Sequence, residues 1–323
     1  MSVVVTGAAG FIGMHIVERL LDRGEKVVGV DNFTPYYDPA LKKARVERLV
    51  GRPGFTFLAS DIADPSAFEA IIRDAGADRI VHLAAQAGVR YSLEKPFVYE
   101  HSNVAGHLSV LEAARRMPEV HLVYASSSSV YGDRPLNSAG FSEADPVDRP
   151  ASLYAATKRA CELMSTTYST LFGLRQSGLR FFTVYGPWGR PDMAYFSFTQ
   201  RILAGEPIEV FGEGRMARDF TFIDDIVDGA IAVLDRPPSD GEHRILNIGN
   251  SRPVGLMEMI ATLERELGRT AEKVMRPMQP GDVTTTFADI SRIKELTGYA
   301  PGTPIEEGLR AFVAWYKDYS RAG

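Results

Sequence analysis

Apolar and polar positions alternate along the first half of the chain in two different periods. Short β-rich runs at Ser2–Thr6, Lys26–Val30, Phe55–Ala59, Arg79–Leu83 and His121–Ser126 read as strands. Between them lie helical segments. The clearest is Phe11–Asp22, where Ile12, Ile16, Leu20 and Leu21 recur at helical spacing and Gly24 stops the helix. Strands alternating with helices predict an α/β fold, a doubly wound parallel sheet with helices on both faces. After about residue 180 the rhythm loosens. Pro187, Pro191, Pro207, Pro237, Pro238, Pro277 and Pro280 divide this half into short elements, with helices expected over Gln200–Leu203, Asp224–Leu234, Leu256–Leu267 and Ile305–Tyr319. The pattern therefore divides into residues 1–180, which carry the parallel sheet, and residues 181–323, a smaller α/β lobe that closes over a ligand, with an interleaved boundary.

The turn after the first strand gives that sheet a chemical purpose. Gly7-Ala8-Ala9-Gly10-Phe11-Ile12-Gly13 follows a strand and opens a helix, the context of a Rossmann-type dinucleotide site. Gly7 permits the tight turn, Gly10 lets the backbone approach a pyrophosphate, and Gly13 lets the helix pack closely. The helix N-terminus offers unpaired N–H groups and a positive dipole end. The spacing is GxxGxxG rather than GxGxxG. Asp31, with Asn32 beside it, ends the second strand, 18 positions after Gly13. A carboxylate there accepts both adenosine ribose hydroxyls and repels a 2′-phosphate, which favours NAD over NADP. A second reading stays open, in which Asp31 simply starts a turn. Asp61 and Ile62, after the third strand, would face the adenine. Leu83-Ala84-Ala85-Gln86 ends the fourth strand with small residues that serve either a flat cofactor or packing alone.

Tyr154-Ala155-Ala156-Thr157-Lys158 adds redox chemistry. Residues four apart share a helix face. A free tyrosine, with a pKa of about 10, is a weak base near neutral pH. A lysine ammonium beside it stabilises the phenolate. Such a tyrosine can take a proton from a sugar hydroxyl while a hydride leaves the same carbon.

Composition narrows the partners. The chain has 323 residues, 45% hydrophobic and 24% charged, as in an ordinary globular protein. A net charge of −5 gives no reason to expect nucleic acid or an anionic membrane surface, so an anionic ligand needs local arginines and backbone N–H groups. One cysteine, Cys161, rules out an internal disulfide and fits a reducing cytosol; it reads as a small buried hydrophobe. The six histidines show no metal-ligand spacing, and no metal is expected. The first residues enter a strand without a basic region or cleavage site, and no run of about 18 apolar residues occurs, so a cytoplasmic location is expected.

The whole chain resembles the extended short-chain dehydrogenase/reductases that act on nucleotide sugars. It is most similar to the UDP-glucuronate 4-epimerases, through Asp31–Asp38 (DNFTPYYD), Ala85–Ser92 (AQAGVRYS) and Val184–Met193 (VYGPWGRPDM). The resemblance implies NAD-dependent inversion of C4 through a 4-keto sugar. Within Ser126-Ser127-Ser128-Ser129-Val130-Tyr131-Gly132 it implies Ser127 as the third catalytic residue with Tyr154 and Lys158. It implies Phe181 and Val184 beside the nicotinamide, and Lys42 beside the adenosine, in an insertion carrying Tyr36, Tyr37 and Arg45. For the UDP-sugar it implies Arg218 on the diphosphate, with Arg90 and Arg190 on diphosphate or carboxylate. Val210 and Phe211 lie in a segment that reads the uracil, and Gln279 and Asp282 lie in Met278–Asp282. Gln279 stands where UDP-galactose 4-epimerases keep an arginine. Thr183 stands where those enzymes carry asparagine, and a short hydroxyl there makes room for a carboxylate; Ser128 offers a second hydroxyl near C6. Ser128 and Ser129 replace the acidic residue that dehydratases and decarboxylases of this superfamily carry beside the turn. Four alternatives stay open: a UDP-glucose/galactose 4-epimerase, a UDP-glucuronate decarboxylase, a sugar 4,6-dehydratase, and a redox-sensing NAD-binding regulator, a class that usually lacks the Tyr–Lys pair. The resemblance also implies a homodimer formed through helices near Val98–Arg115 and Tyr154–Phe172.

Overall fold

The computed structural model describes residues 2–117, 119–133, 140–279 and 283–322. Its strands in chain order are β1 (Ser2–Thr6), β2 (Lys26–Asp31), β3 (Phe55–Ala59), β4 (Arg79–His82), β5 (His121–Ser127), β6 (Arg175–Phe181), β7 (Thr183–Tyr185), β8 (Ile208–Val210), β9 (Ala217–Phe222), β10 (His243–Ile248), β11 (Pro253–Gly255), β12 (Lys273–Met275) and β13 (Thr285–Thr286). Seven of them form one parallel sheet in the order β10-β6-β5-β4-β1-β2-β3. The central strands β1, β4 and β5 are buried nearly throughout, as expected when helices cover both faces, whereas the edge strand β3 is largely exposed.

The chain builds outward from β1 to β3 in one direction, then from β4 to β10 in the other. The reversal between β1 and β4 is a topological switch point, and the crevice beyond the carboxyl ends of these strands is where such sheets bind ligands. The glycine loop leaves β1 there, and Leu83–Gln86 leaves β4.

Element ends differ from the sequence expectation in ways that matter. β2 runs one residue further, so Asp31 is still a strand residue and its carboxylate is fixed by the sheet. β4 stops at His82, which leaves Leu83 in the loop. β5 includes Ser127 as its last residue. The helix expected over Gln200–Leu203 extends from Ala194 to Ala204.

The second half does not stand apart. β10 returns to the first sheet and pairs with β6 from His243↔Gln176 to Ile248↔Phe181. The helix Ile223–Leu234 that precedes it packs on Phe11–Asp22. One cluster of buried apolar side chains accordingly runs from Val3 and Val5 through Ile223, Ile226 and Val227 to Leu309 and Phe312. The rest of this half holds a small sheet, β11-β9-β13 with β7 also on β9, and the two-stranded pair β12-β8.

Candidate active site

A solvent-open cleft lies over the carboxyl ends of the central strands. Gly7, Gly10, Phe11, Ile12 and Gly13 form its floor. Gly7 has φ +72°, and a Cβ there would stand 2.8 Å from Ala84 N. A Cβ on Gly13 would stand 2.0 Å from Gly7 O, so the loop and the helix share space that only glycine leaves free. The Gly10 N–H donates to Gly7 O at 2.8 Å, closing the turn. No side chain caps the helix Phe11–Asp22, so its first N–H groups point outward for an anion. These features fit a dinucleotide pyrophosphate.

The Asp31 carboxylate takes part in the turn that follows β2 and also lines the cleft. Its Oδ1 accepts the Phe33 N–H at 2.8 Å, which starts a turn, and its Oδ2 accepts the Ala9 N–H at 3.1 Å, which ties the carboxylate to the glycine loop. It also lines the cleft with Asn32 and Lys42. The Lys42 ammonium donates to Thr34 O at 2.9 Å. Burial, with Arg45 and Arg190 nearby, holds it below the ordinary lysine value against the pull of Asp31. Asp61 accepts from Ala63 N–H, His101 and Asn32. Burial pushes its carboxyl up, but these hydrogen bonds outweigh it and hold the group below the ordinary range. Ile62 and Leu83-Ala84-Ala85-Gln86 complete this wall.

Opposite stands the helix Leu153–Phe172. Ser152 caps it by accepting the Ala155 N–H at 3.1 Å, which sets Tyr154 in the first turn and Lys158 one turn on. Lys158 is buried and donates to Ala125 O at 2.9 Å. Ser127 ends β5, and its Oγ accepts the Ser129 N–H at 3.2 Å. All three line the cleft, together with Phe181 and Val184. The Tyr154 ring meets Tyr99 edge-on at 6.1 Å. Asn103 lies in a π-helical stretch, Glu100–Ala105, and its amide donates to both Gln86 O and Thr157 Oγ1 at 3.0 Å. It thereby ties the β4 loop to the helix that bears Tyr154 and Lys158. Nothing in the local pattern around Asn103 announces this; the widened turn that aims it is a tertiary feature.

The substrate candidates divide. Arg190 lines the cleft but forms a two-bond ion pair with Asp192, at 3.0 and 2.6 Å, and Asp192 also accepts from Tyr36 OH at 3.1 Å. Burial opposes the Arg190 charge, and Asp192 more than offsets it, so the guanidinium stays firmly protonated. Arg90, Ser128, Thr183, Val210, Phe211, Arg218 and Gln279 are not among the lining residues. Arg90 lies over the Phe211 ring at 5.0 Å. Arg218 donates to Ala217 O and Thr284 O at 2.9 and 3.1 Å. Thr183 opens β7 opposite Phe220. Ser128 begins the 3-10 turn after Ser127. Gln279 follows Met278, which lines a separate hollow with Gly212, Glu213, Arg215, Met216, Pro277 and Thr284. Asp282 lies outside the described residues. Val210 needs correction as a contact: its side chain is fully buried and its carbonyl accepts Arg276 N–H at 2.9 Å, because β8 pairs there with β12. The alternation of a parallel ladder leaves Glu209, not Val210, with its backbone on the open edge.

The chain belongs to the NAD dependent epimerase/dehydratase family, whose profile matches residues 3–249. A probable UDP-glucuronate 4-epimerase of Rhizobium meliloti (strain 1021) is 44% identical, over 100% of this chain and 99% of its own. UDP-glucuronate 4-epimerase 4 of Arabidopsis thaliana is 47% identical over 99% of this chain and 76% of its own. The crystal structure of UDP-glucuronic acid 4-epimerase from Bacillus cereus, in complex with UDP-glucuronic acid and NAD, superposes with a TM-score of 0.92 at 34% identity, covering 99% of this chain and 100% of the other.

Seen as a member of this family, the cleft carries an informative distribution of charge. Among the described residues its lining carboxylates are Asp31, the last residue of β2, and Asp61, which follows β3; both are separated from Ser127 on β5 by β4 and β1. Among the described residues, no carboxylate lines the cleft beside the serine turn, where water elimination would need one. Thr34, Tyr36, Tyr37, Ser102 and Met193 line the cleft without having been assigned to it from the sequence. The paired tyrosines of the insertion were the available signal. No group of three or more potential metal ligands occurs among the described residues.

Proposed function

We propose that this chain is an NAD-dependent epimerase that inverts C4 of UDP-glucuronate to give UDP-galacturonate through a 4-keto sugar. The observation that carries the reading is one cleft that brings the glycine loop and Asp31 together with Ser127, Tyr154 and Lys158, while the carboxylates that line it among the described residues, Asp31 and Asp61, lie away from the serine turn. Bound NAD supplies the hydride acceptor for C4 and returns the hydride at the end of the cycle.

The protein's own residues do the rest. The uncapped helix end and the glycine loop hold the pyrophosphate, and Asp31 holds the adenosine ribose. Phe181 and Val184 wall the nicotinamide side. Tyr154 takes the proton from O4 and later gives it back, with Ser127 hydrogen-bonded to the same oxygen. Lys158, held by Ala125 O, supplies the positive charge that favours the phenolate. Arg218, Arg90 and the Phe211 segment serve the UDP part. Incubation of the purified protein with UDP-glucuronate and with UDP-glucose, followed by NMR of the products, tests this reading. UDP-galacturonate supports it. Conversion of UDP-glucose alone makes the enzyme a neutral-hexose epimerase, and a UDP-pentose with CO₂ makes it a decarboxylase.

The same reading extends to assembly and location. Phe97, Leu108, Leu163 and Leu171 are exposed on the helices flanking the catalytic helix and on that helix itself, and Phe97 is 83% exposed. A second copy of this chain covering that face gives a homodimer, and Leu163→Glu then yields a monomer by light scattering. No helix among the described residues is long and apolar enough to cross a membrane. A cytoplasmic location is part of the proposal, tested by cell fractionation.

A further inference from the structure

Ser127 and Tyr154 sit on different elements, so their separation depends on what holds the strand end against the helix. The helix grips β5 at two successive residues. Lys158 donates to Ala125 O at 2.9 Å, and one turn further on Glu162 accepts from Ser126 Oγ at 2.6 Å. Glu162 is completely buried, yet it carries no direct role in the chemistry above. Its carboxylate is closed by Arg180 on β6, with Nε on Oε1 at 2.8 Å and Nη2 on Oε2 at 2.9 Å, and by Arg159 at 2.9 Å. Burial would raise this carboxyl; the arginine fork and the Ser126 and Arg159 hydrogen bonds outweigh it and hold it below the ordinary value.

The far side of Arg180 returns to the serine turn. Its Nη1 donates to Tyr131 OH at 3.0 Å, and its guanidinium lies 4.9 Å from the centre of that ring. Tyr131 is the last residue of the 3-10 turn that Ser128 begins. Its hydroxyl donates onward to Asn247 Oδ1 on β10 at 2.6 Å. Asn247 in turn donates to Phe141 O and Asp289 O at 2.8 and 3.1 Å, binding in two segments from outside the first sheet. Residues 126 and 131 thus bracket Ser127, and both end on one buried ion pair.

We infer that the Glu162–Arg180 pair is a positioning device for catalysis: through Ser126 on one side and Tyr131 on the other, it fixes the turn bearing Ser127 against the helix bearing Tyr154 and Lys158. A well-packed apolar pair at the same place would be no less stable, since the desolvation cost of a buried ion pair offsets most of its attraction. What the ions add is direction. A bidentate fork tolerates little displacement, and a fully satisfied buried network selects one arrangement. The role of Ser127 rests on the proposed function; the stapling of the turn does not.

The test uses Ser126→Ala and Tyr131→Phe, each of which cuts one staple and leaves the ion pair in place. Both variants are matched to wild type for bound NAD, and folding is checked by melting. The expectation is a fall in kcat of roughly ten- to a hundredfold, with KM for UDP-glucuronate within about twofold. A larger primary isotope effect on kcat with C4-deuterated substrate should accompany it, because the hydride step becomes limiting. Ser126→Thr, which keeps the hydroxyl, should recover kcat. Independently of turnover, amide hydrogen exchange should speed up in residues 126–132 while the strands β1 and β4 stay protected. Unchanged kcat and isotope effect with only a lower melting temperature would overturn the inference, as would unchanged exchange in the turn. Wild-type protein inactive on UDP-glucuronate refutes the proposed function, while the exchange measurement still decides the stapling.

Discussion

At the scale of single residues, the proposed chemistry depends most on Tyr154. Tyr154→Phe keeps the ring against Tyr99 and removes the proton carrier. Activity should fall by about a hundredfold or more, with a melting temperature close to wild type. Turnover in D₂O should leave no deuterium at C4, because the hydride never exchanges with solvent; deuterium at C4 or C5 would point to deprotonation chemistry. The C6 carboxylate poses a separate problem. A 4-keto uronate is a β-keto acid, which loses CO₂ when the carboxylate bond aligns with the carbonyl π system. Short hydroxyl donors can follow the sugar through both of its poses at little cost. Ser128 follows the lining residue Ser127, and Thr183 lies between Phe182 and Val184, which also line the cleft. Thr183→Ala and Ser128→Ala should therefore slow epimerisation and raise the UDP-pentose fraction. If both epimerise with no extra CO₂, Arg190 becomes the residue that controls the carboxylate, although its fork is already engaged by Asp192.

At the scale of elements, the strand–turn–helix that opens the chain makes the strongest demand on sequence. The Cβ of Gly13→Ala would meet Gly7 O at 2.0 Å, a backbone atom that cannot swing away. The helix must shift, at a cost of about 1–3 kcal/mol, and its free N–H groups move off the pyrophosphate. Wild-type protein purified without added cofactor should release NAD⁺ or NADH, and not NADP(H), on denaturation. Gly13→Ala should release little and should melt at a lower temperature. Gly24, which carries a positive φ but meets nothing within 4 Å, is the control: Gly24→Asn should retain the cofactor.

At the scale of the whole molecule, the fold buries His82, His107 and His121 and half-buries His15 and His243. Burial holds His82 near 3 and His15, His121 and His243 near 4, and pushes His107 well below its usual value. Each is neutral in the fold but binds a proton in the unfolded chain below about 6.5. Their contribution is thus fully present above that pH and is lost as pH falls toward 4, at up to about 1.4 kcal/mol per pH unit for each histidine. Glu143, Asp219 and Asp224, pushed up by burial, act in the opposite direction but are fewer. Urea unfolding at pH 7.5, 6.0 and 5.0 should show a steady fall in stability. A flat profile would mean that these rings titrate normally and that the core admits water.

What the sequence by itself determined about this protein is the chemistry encoded within a few residues. A positive-φ glycine before a helix, a carboxylate at a strand end, and a tyrosine four residues before a lysine each carry their geometry with them, and these groups reach one cleft as the alternation of strands and helices implies. Only the tertiary structure decided which charges cancel and which backbone groups remain open. Asp192, the near neighbour that engages Arg190, is itself held by Tyr36 from the distant insertion after β2. Val210 is closed off by β12, about 65 residues further on. Glu162 meets Arg180 only because β6 lies beside β5, and β10 joins that sheet after a long excursion through the second lobe. The reason is physical. A backbone torsion or a helical spacing is set by neighbours in sequence, whereas the partner of a buried charge or a strand edge is set by whichever distant segment the packed sheet brings against it.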